Sequence, residues 1–182
     1  MKIRPVAQAI FLALALASPA LTSQASQPLI INEASASLFR SGSTLVDEPL
    51  VIVVNKANAI DNVTSSELRN IFIGQRGNWP NGQKITVVMR DPTPERAAAL
   101  QLIYRMSESD FSRYFLHASF SGQSLAPPKQ LASSSGVRRF IFNVPGAVGY
   151  VRLSDLDDNV KAIRIDGLTA RDSAYKFRIA GH

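Results

Sequence analysis

Two arginines and a threonine stand around a strand-to-helix turn near the middle of the chain, and their side chains suit an anion. Arg90 ends the apolar run that starts at Ile85, and Thr93 and Arg96 follow within six residues. Thr93 suits the N-cap of a helix that should run to about Met106, and Pro94 suits its first position. Such a turn brings backbone N–H groups and the positive end of a helix dipole to a sheet edge. We therefore predict an oxyanion site of Arg90, Thr93 and Arg96.

The same turn also has a simpler interpretation, because most strand-to-helix turns bind nothing. In that case the two arginines would be solvated side chains. A fourth residue, Asn55, ends the first strong strand pattern, residues 50–55, and is a possible neighbour of Arg90 in the predicted site.

Catalytic and metal-binding patterns are weak in this sequence. It has two histidines, His117 and His182, and neither a GxSxG nor an HExxH motif, so it predicts no catalytic residues and no enzyme. It has no cysteine, which excludes disulfides, thiol nucleophiles and thiolate metal sites. A calcium-loop pattern starting at Asp155 has Val160 where the sharp turn needs glycine. We predict no metal and no cofactor.

The first 25 residues predict an export signal. A cationic start with Lys2 and Arg4 precedes an apolar run that is too short for a membrane span, and a cleavage site follows at Ala25. The sequence thus divides into a signal peptide (1–25), a loosely ordered N-terminal arm (26–48) and an α/β domain (49–182). We expect the mature protein in the periplasm, without stable membrane insertion.

The charge of the chain favours anionic partners over neutral ones. The formal net charge is +6 for all 182 residues, and without Lys2 and Arg4 there are 18 basic residues against 14 acidic ones. Such an excess suits a small anion, an acidic protein or an envelope surface, whereas export argues against nucleic acid. A merely soluble basic surface is the simpler interpretation.

Strand and helix patterns alternate along the chain, which is typical of an α/β fold. Thr64 and Glu67 have capping-box spacing ahead of a helix that Gly74 ends, and Ser107 caps a helix with an aromatic stripe. The serines at 133–135 can cap a further helix, which Pro145-Gly146 ends. Asn81-Gly82 predicts a turn in which Trp79 packs against the body of the protein. Short strands are expected at residues 147–151 and 161–165.

The order of these segments resembles a known family. In sequence they are VVNKAN, ELRNIFIGQRGNWPNG, ITVVMRD, MSESDFSRYFLHASFSG, VPGAVGYV and IRIDG. This order is similar to that of the phosphate-type periplasmic solute-binding proteins of ABC transporters, and more narrowly to their short single-lobe members. The resemblance implies a single α/β lobe of the type 2 periplasmic-binding fold, a small mixed sheet flanked by helices. In full-length relatives the anion lies between two such lobes.

The resemblance implies a non-enzymatic solute-binding protein, with phosphate or a similar oxyanion as ligand and an ABC permease as partner. Arg90 matches the arginine that ends the family's strand. The Gly-Ser-Gly-Thr turn that follows it in the family is replaced here by residues 91–96, DPTPER. An alternative is therefore an envelope interaction or sensory module that kept the lobe and lost the ligand.

Overall fold

The computed structural model describes residues 47–122 and 125–180. The predicted signal peptide, its cleavage site and all but the last two residues of the predicted N-terminal arm lie outside the described residues. Within these two ranges, no helix combines the length and the apolar character that crossing a membrane requires.

In the described part of the chain, eight strands form two sheets. The strands are β1 (Glu48–Val54), β2 (Asn62–Val63), β3 (Thr86–Arg90), β4 (Lys129–Leu131), β5 (Ala147–Arg152), β6 (Lys161–Ala162), β7 (Arg164–Ile165) and β8 (Arg178–Ile179). The main sheet has the order β4-β3-β5-β1-β6, and β8 pairs with the start of β1. The small sheet joins β2 to β7.

The directions of the strands make the main sheet mixed. β3 is parallel to both β4 and β5, whereas β1 is antiparallel to β5. Val51 pairs with Val151, and Val54 pairs with Val148. β1 therefore runs opposite to β3, and the two strands end at opposite edges of the sheet.

Among residues 47–122 and 125–180, four α-helices flank the main sheet. They are α1 (Ser65–Phe72), α2 (Pro94–Ala99), α3 (Glu108–Phe120) and α4 (Ser134–Asn143), and a π-helical turn, Leu100–Tyr104, continues α2. The predicted caps are present at Thr64, Thr93, Ser107 and Ser133. Each cap side chain accepts a hydrogen bond from a backbone N–H that the helix itself leaves unpaired.

The core lies between the helices and the main sheet. Phe72, Tyr104 and Tyr150 are almost fully buried, and the Phe72 ring contacts both tyrosine rings. Gly149 lets α4 approach, because a Cβ there would lie 3.2 Å from Ile141 Cδ1. The predicted α/β lobe with a small mixed sheet is therefore confirmed.

The structure differs in three details from what the sequence predicts. The helix expected to run to about Met106 changes to π-helical geometry at Leu100, and Arg105 ends it with a left-handed φ of 55°. The strand expected at 161–165 is two short strands that belong to different sheets. β4 and β8 were not expected, since neither has the β-branched run that marks β1 and β3.

Candidate functional site

Two parallel strands bring two helix starts to one edge of the main sheet. Arg90 at the end of β3 pairs with Leu131 at the end of β4, and the Asp91 N–H donates to the Leu131 carbonyl oxygen at 3.0 Å. α2 follows β3, and α4 follows β4. Since the carboxyl ends of parallel strands lie at the same edge, the residues that precede both helices lie near Arg90.

Arg90 is the half-buried cation at this edge. Its Nη1 donates to the hydroxyl oxygen of Ser134 in the first turn of α4, while its Nε is buried and has no hydrogen-bond acceptor in the described part of the chain. No carboxylate of the described residues lies within ion-pair distance of Arg90. The charge of Arg90 is thus balanced by no acidic side chain among residues 47–122 and 125–180.

Ser134 is the side-chain hydrogen-bond partner of Arg90. Its Oγ accepts from Arg90, and we see no acceptor for its own hydroxyl hydrogen within the described ranges. Ser133 is already used, since its Oγ accepts from the Gly136 N–H at 3.0 Å. Sequence reasoning took the serine run at 133–135 only as a helix cap. The pairing of β4 with β3, which brings the run to Arg90, has no clear pattern in the sequence.

Thr93 holds the start of α2. Its Oγ1 accepts from the Arg96 N–H at 3.3 Å. Thr93 therefore lies one turn from Arg90 as expected, with its hydroxyl already engaged inside the protein.

Arg96 is buried and fully paired. Its Nε and Nη2 donate to the two carboxylate oxygens of Glu108, at 3.0 and 2.5 Å, and its Nη1 donates to the Arg90 carbonyl oxygen at 3.3 Å. The guanidinium carbon also lies 5.2 Å from the centre of the Phe111 ring. Hydrogen bonding to Glu108 raises the pKa of Arg96, and the same bonds lower the pKa of Glu108. The structure thus brings Arg96 to the turn but commits its guanidinium to Glu108.

A second ion network lies on the β5 side of the turn. Arg152 donates from Nε to Glu95 and from Nη1 to Glu48 Oε2, the latter at 2.9 Å. Burial would raise the pKa of Glu95, but hydrogen bonds from Arg152, from its own N–H and from Thr93 bring it below the ordinary value of 4.5. Glu95, only 5% exposed, is therefore an ionised carboxylate inside the protein.

The structure corrects the expectation that Asn55 neighbours Arg90. Extending the β3–β5 register places Arg90 level with Val151, which pairs with Val51, so Asn55 lies four residues further along β1. At ~3.3 Å per residue, Asn55 is ~13 Å away along the strands alone. The physical reason is strand direction, because β1 runs opposite to β3.

Asn55 also has a structural role of its own. Its Nδ2 donates to the Ile141 and Phe142 carbonyl oxygens, both at 2.7 Å, and its Oδ1 accepts from the Ala57 N–H. These bonds tie the end of β1 to the last turn of α4, where orphan carbonyls need donors.

The groups left over at the edge define its chemistry. Among the described residues, the buried Arg90 Nε has no acceptor and the partly buried Ser134 hydroxyl donates to no side chain or carbonyl, and both lie near the N-terminal backbone N–H groups of α4. A compact oxyanion offers only acceptors and carries negative charge. It can therefore accept hydrogen bonds from Arg90 and Ser134 and balance the charge of Arg90. The described residues contain no cluster of three or more potential metal ligands.

The comparisons with known proteins agree with this chemistry. No protein-family model matches the chain. The phosphate-binding protein PstS of Bacillus subtilis (strain 168) is 32% identical over 135 residues, a match that covers 68% of this chain and 40% of PstS.

Solved structures of similar proteins extend the agreement to the fold. An ABC-type phosphate transport receptor from Vibrio cholerae matches with a TM-score of 0.51 and 26% identity, over 69% of this chain and 49% of the receptor. A putative phosphate ABC transporter substrate-binding protein with bound phosphate, from Clostridium perfringens, matches with a TM-score of 0.56 and 20% identity, over 68% and 47% of the two chains. The chain thus spans half or less of the length of these relatives.

Proposed function

Since this chain is a relative of the phosphate-type substrate-binding proteins of ABC transporters, we propose that it is a non-enzymatic, exported protein that binds phosphate or a similar small oxyanion. The proposed site is the edge between β3 and α4. Arg90 and Ser134 bind the anion directly, and the N-terminal N–H groups of α4 add to the binding. Thr93 and Arg96, the other two residues of the predicted site, hold the turn in place.

One observation carries this proposal: Arg90 has a buried Nε without an acceptor and has no acidic partner in the described part of the chain. Leaving a buried, charged donor unsatisfied costs more than 1 kcal/mol as a rule, so an acceptor-only ligand at this place would be favourable. Arg96 offers the contrast, because Glu108 satisfies it at two points.

The protein's partners and location follow from the same proposal. A substrate-binding protein for uptake works outside the inner membrane and delivers its ligand to an ABC permease. We therefore propose the periplasm as the location and an ABC permease as the partner. Export would follow the sequence signal at residues 1–25, with cleavage after Ala25.

Calorimetric titration of the purified protein with phosphate, sulfate and acetate tests the site. We expect phosphate or sulfate to bind, Arg90→Ala to weaken binding at least tenfold, and Ser134→Ala to weaken it less. Arg171→Ala is the matched control, because Arg171 is an exposed arginine and its loss changes the net charge equally. If Arg90→Ala and Arg171→Ala lowered the anion affinity equally, the loss would reflect only the change in net charge. The Arg90 site would then have to be abandoned.

A second function is favoured by the engaged groups at the turn. The Thr93 hydroxyl oxygen caps α2, Arg96 is paired with Glu108, and Pro92 and Pro94 contribute no N–H donors. These features fit an envelope interaction module that kept the lobe without the ligand. Pull-down from envelope extracts, with and without residues 26–46, distinguishes the two functions. A partner retained without any anion binding would support the module, whereas anion binding without a partner would exclude it.

A further inference from the structure

Arg90 has its side chain on one face of the main sheet, while neighbouring residues of β3 alternate between the two faces. Arg90 and Met89 are consecutive and therefore point to opposite faces. Arg90 reaches Ser134 at the start of α4, whereas Met89 Sδ accepts a hydrogen bond from the hydroxyl of Tyr104, in the π-helical turn that continues α2. At the end of β3, α4 and α2 therefore lie on opposite faces of the sheet.

Two side chains on the α2 face hold the backbone of Arg90. Arg96 Nη1 donates to the Arg90 carbonyl oxygen, and the hydroxyl oxygen of Tyr150 accepts from the Arg90 N–H, both at 3.3 Å. Arg96 belongs to α2, whereas Tyr150 lies on β5, 60 residues further along the chain than Arg90. Side chains thus contact both backbone polar groups of the residue whose guanidinium lies on the other face.

Strand geometry explains why the Arg90 N–H takes a side-chain acceptor. The Asp91 N–H donates to β4, and successive N–H groups of a strand point to opposite sides, so the Arg90 N–H points toward β5. The paired residues of β3 and β5 end at Val87 and Val148, three residues before Arg90. The Tyr150 hydroxyl therefore takes the place of a backbone carbonyl in the sheet.

The surroundings of Tyr150 make it a rigid support. Its side chain is fully buried, its ring stacks on that of Phe72 with 6.5 Å between the centroids, and its backbone pairs with Ile52 of β1. Burial raises the pKa of the Tyr150 hydroxyl, so this side chain stays neutral and acts on Arg90 through a hydrogen bond and not through charge. Groups whose own conformation is fixed by packing are those that hold a binding side chain in one geometry.

We propose that Tyr150 is a positioning residue for the oxyanion site, because its hydroxyl holds the end of β3 and thereby places the Arg90 guanidinium beside the Ser134 hydroxyl. This inference rests on the proposed function, since it concerns the same site. Without the Tyr150 hydroxyl, the Arg90 N–H loses its acceptor, and the end of β3 is free to move toward another. The anion then meets donors that are not held in one geometry, and ordering them weakens its binding.

Calorimetric titration of Tyr150→Phe with inorganic phosphate and with inorganic sulfate tests the inference, because this change keeps the ring and removes the hydroxyl. We expect the dissociation constant of the anion to rise roughly fivefold, which corresponds to one net hydrogen bond. Tyr175→Phe is the matched control, since the Tyr175 hydroxyl is also buried but donates to the Leu50 carbonyl oxygen of β1. It should leave the dissociation constant unchanged. Equal increases in the two variants would reflect a general loosening of the core and would overturn the inference.

The NMR resonance of the Arg90 N–H is a readout that a loss of stability alone does not move. In Tyr150→Phe the amide proton loses its acceptor, so we expect its resonance to move to lower chemical shift and its exchange with solvent to become faster. In Tyr175→Phe both should stay as in the wild type. An Arg90 amide proton that is unchanged by Tyr150→Phe would overturn the inference.

The wild-type titration separates this inference from the proposed function. If the wild-type protein binds neither phosphate nor sulfate, the proposed function fails and the positioning role of Tyr150 fails with it. If the wild type binds either anion and Arg90→Ala weakens that binding, but Tyr150→Phe binds as the wild type does, the positioning role alone fails.

Discussion

Arg96 and Glu108 form a two-point ion pair that joins the first turn of α2 to the first turn of α3. The guanidinium is almost completely buried, whereas the carboxylate side chain is 56% exposed. Arg96 also donates to the carbonyl oxygen of Arg90, so the pair determines where the last residue of β3 lies. Its role is to hold the turn, whereas Arg90 at the same edge has no acidic partner among the residues that the structure describes.

Removing Glu108 should therefore destabilise the fold. Glu108→Ala leaves Arg96 buried without its charged acceptor, and we expect a loss of about 1–3 kcal/mol in the free energy of unfolding. Urea unfolding monitored by circular dichroism measures it. The control is Arg113→Ala, which removes an exposed ion pair with Asp110 and should have little effect. Similar losses in the two variants would mean that the burial of Arg96 is unimportant.

Acid should destabilise the protein through Glu95. Its pKa in the folded protein lies below the ordinary 4.5, so its contribution to stability is complete above pH 4.5 and is lost as the pH falls through the folded pKa. Glu95→Gln should therefore be less stable than the wild type at pH 7, and the difference should shrink toward pH 3. Urea midpoints measured from pH 7 to pH 3 check this. A difference that grows on acidification would contradict the assigned direction of the shift.

Gly146 should not tolerate any side chain. A Cβ at this position would lie 2.0 Å from the Lys84 carbonyl oxygen, so the backbone before β3 would have to move. We expect Gly146→Ala to lower the free energy of unfolding on the order of 1–3 kcal/mol. Gly77→Ala is the matched control, because a Cβ at Gly77 meets nothing within 4 Å. Thermal unfolding of both variants measures the difference, and a stable Gly146→Ala protein would exclude the close approach.

Trp79 should report unfolding and remain silent on anion binding. The indole is 2% exposed, and its Nε1 donates to the Gly146 carbonyl oxygen at 3.0 Å, next to the start of β3. Arg90 ends the same strand, four residues after Thr86, so at ~3.3 Å per residue the two sites lie about 13 Å apart along the strand. Urea should shift the emission to longer wavelength, whereas saturating phosphate should leave it unchanged. A shift with phosphate as large as that with urea would place the ligand near Trp79 and contradict the Arg90 site.

Local chemistry made much of this fold predictable. Thr64, Thr93 and Ser107 bond to backbone groups three residues away, so their capping roles follow from spacing alone. The contacts between residues that are far apart in the sequence could not be predicted in this way. Asn55 was expected near Arg90 because a strand's direction in a sheet cannot be inferred from its own residues.

The candidate site shows the same limit. Arg90 and its turn were found from a strand followed by a helix start. The partners that decide its chemistry are Ser134, which is 44 residues away, and Glu108, which removes Arg96 from the site. Both depend on packing between elements that no local pattern connects. The short strand β4, which brings Ser134 to the edge, has only three residues.

The pairing of β1 determines when this sheet can form during synthesis. Within residues 47–122 and 125–180, the strands that pair with β1 are β5, β6 and β8, and all three come from residues 147–179. A ribosome must therefore make nearly the whole domain before β1 can pair with any of these three strands, and about 100 residues of loop must close at that step. Such non-local pairing slows folding relative to a helical protein of this length. Until then, the apolar segment of residues 50–54 stays open to chaperones and to aggregation.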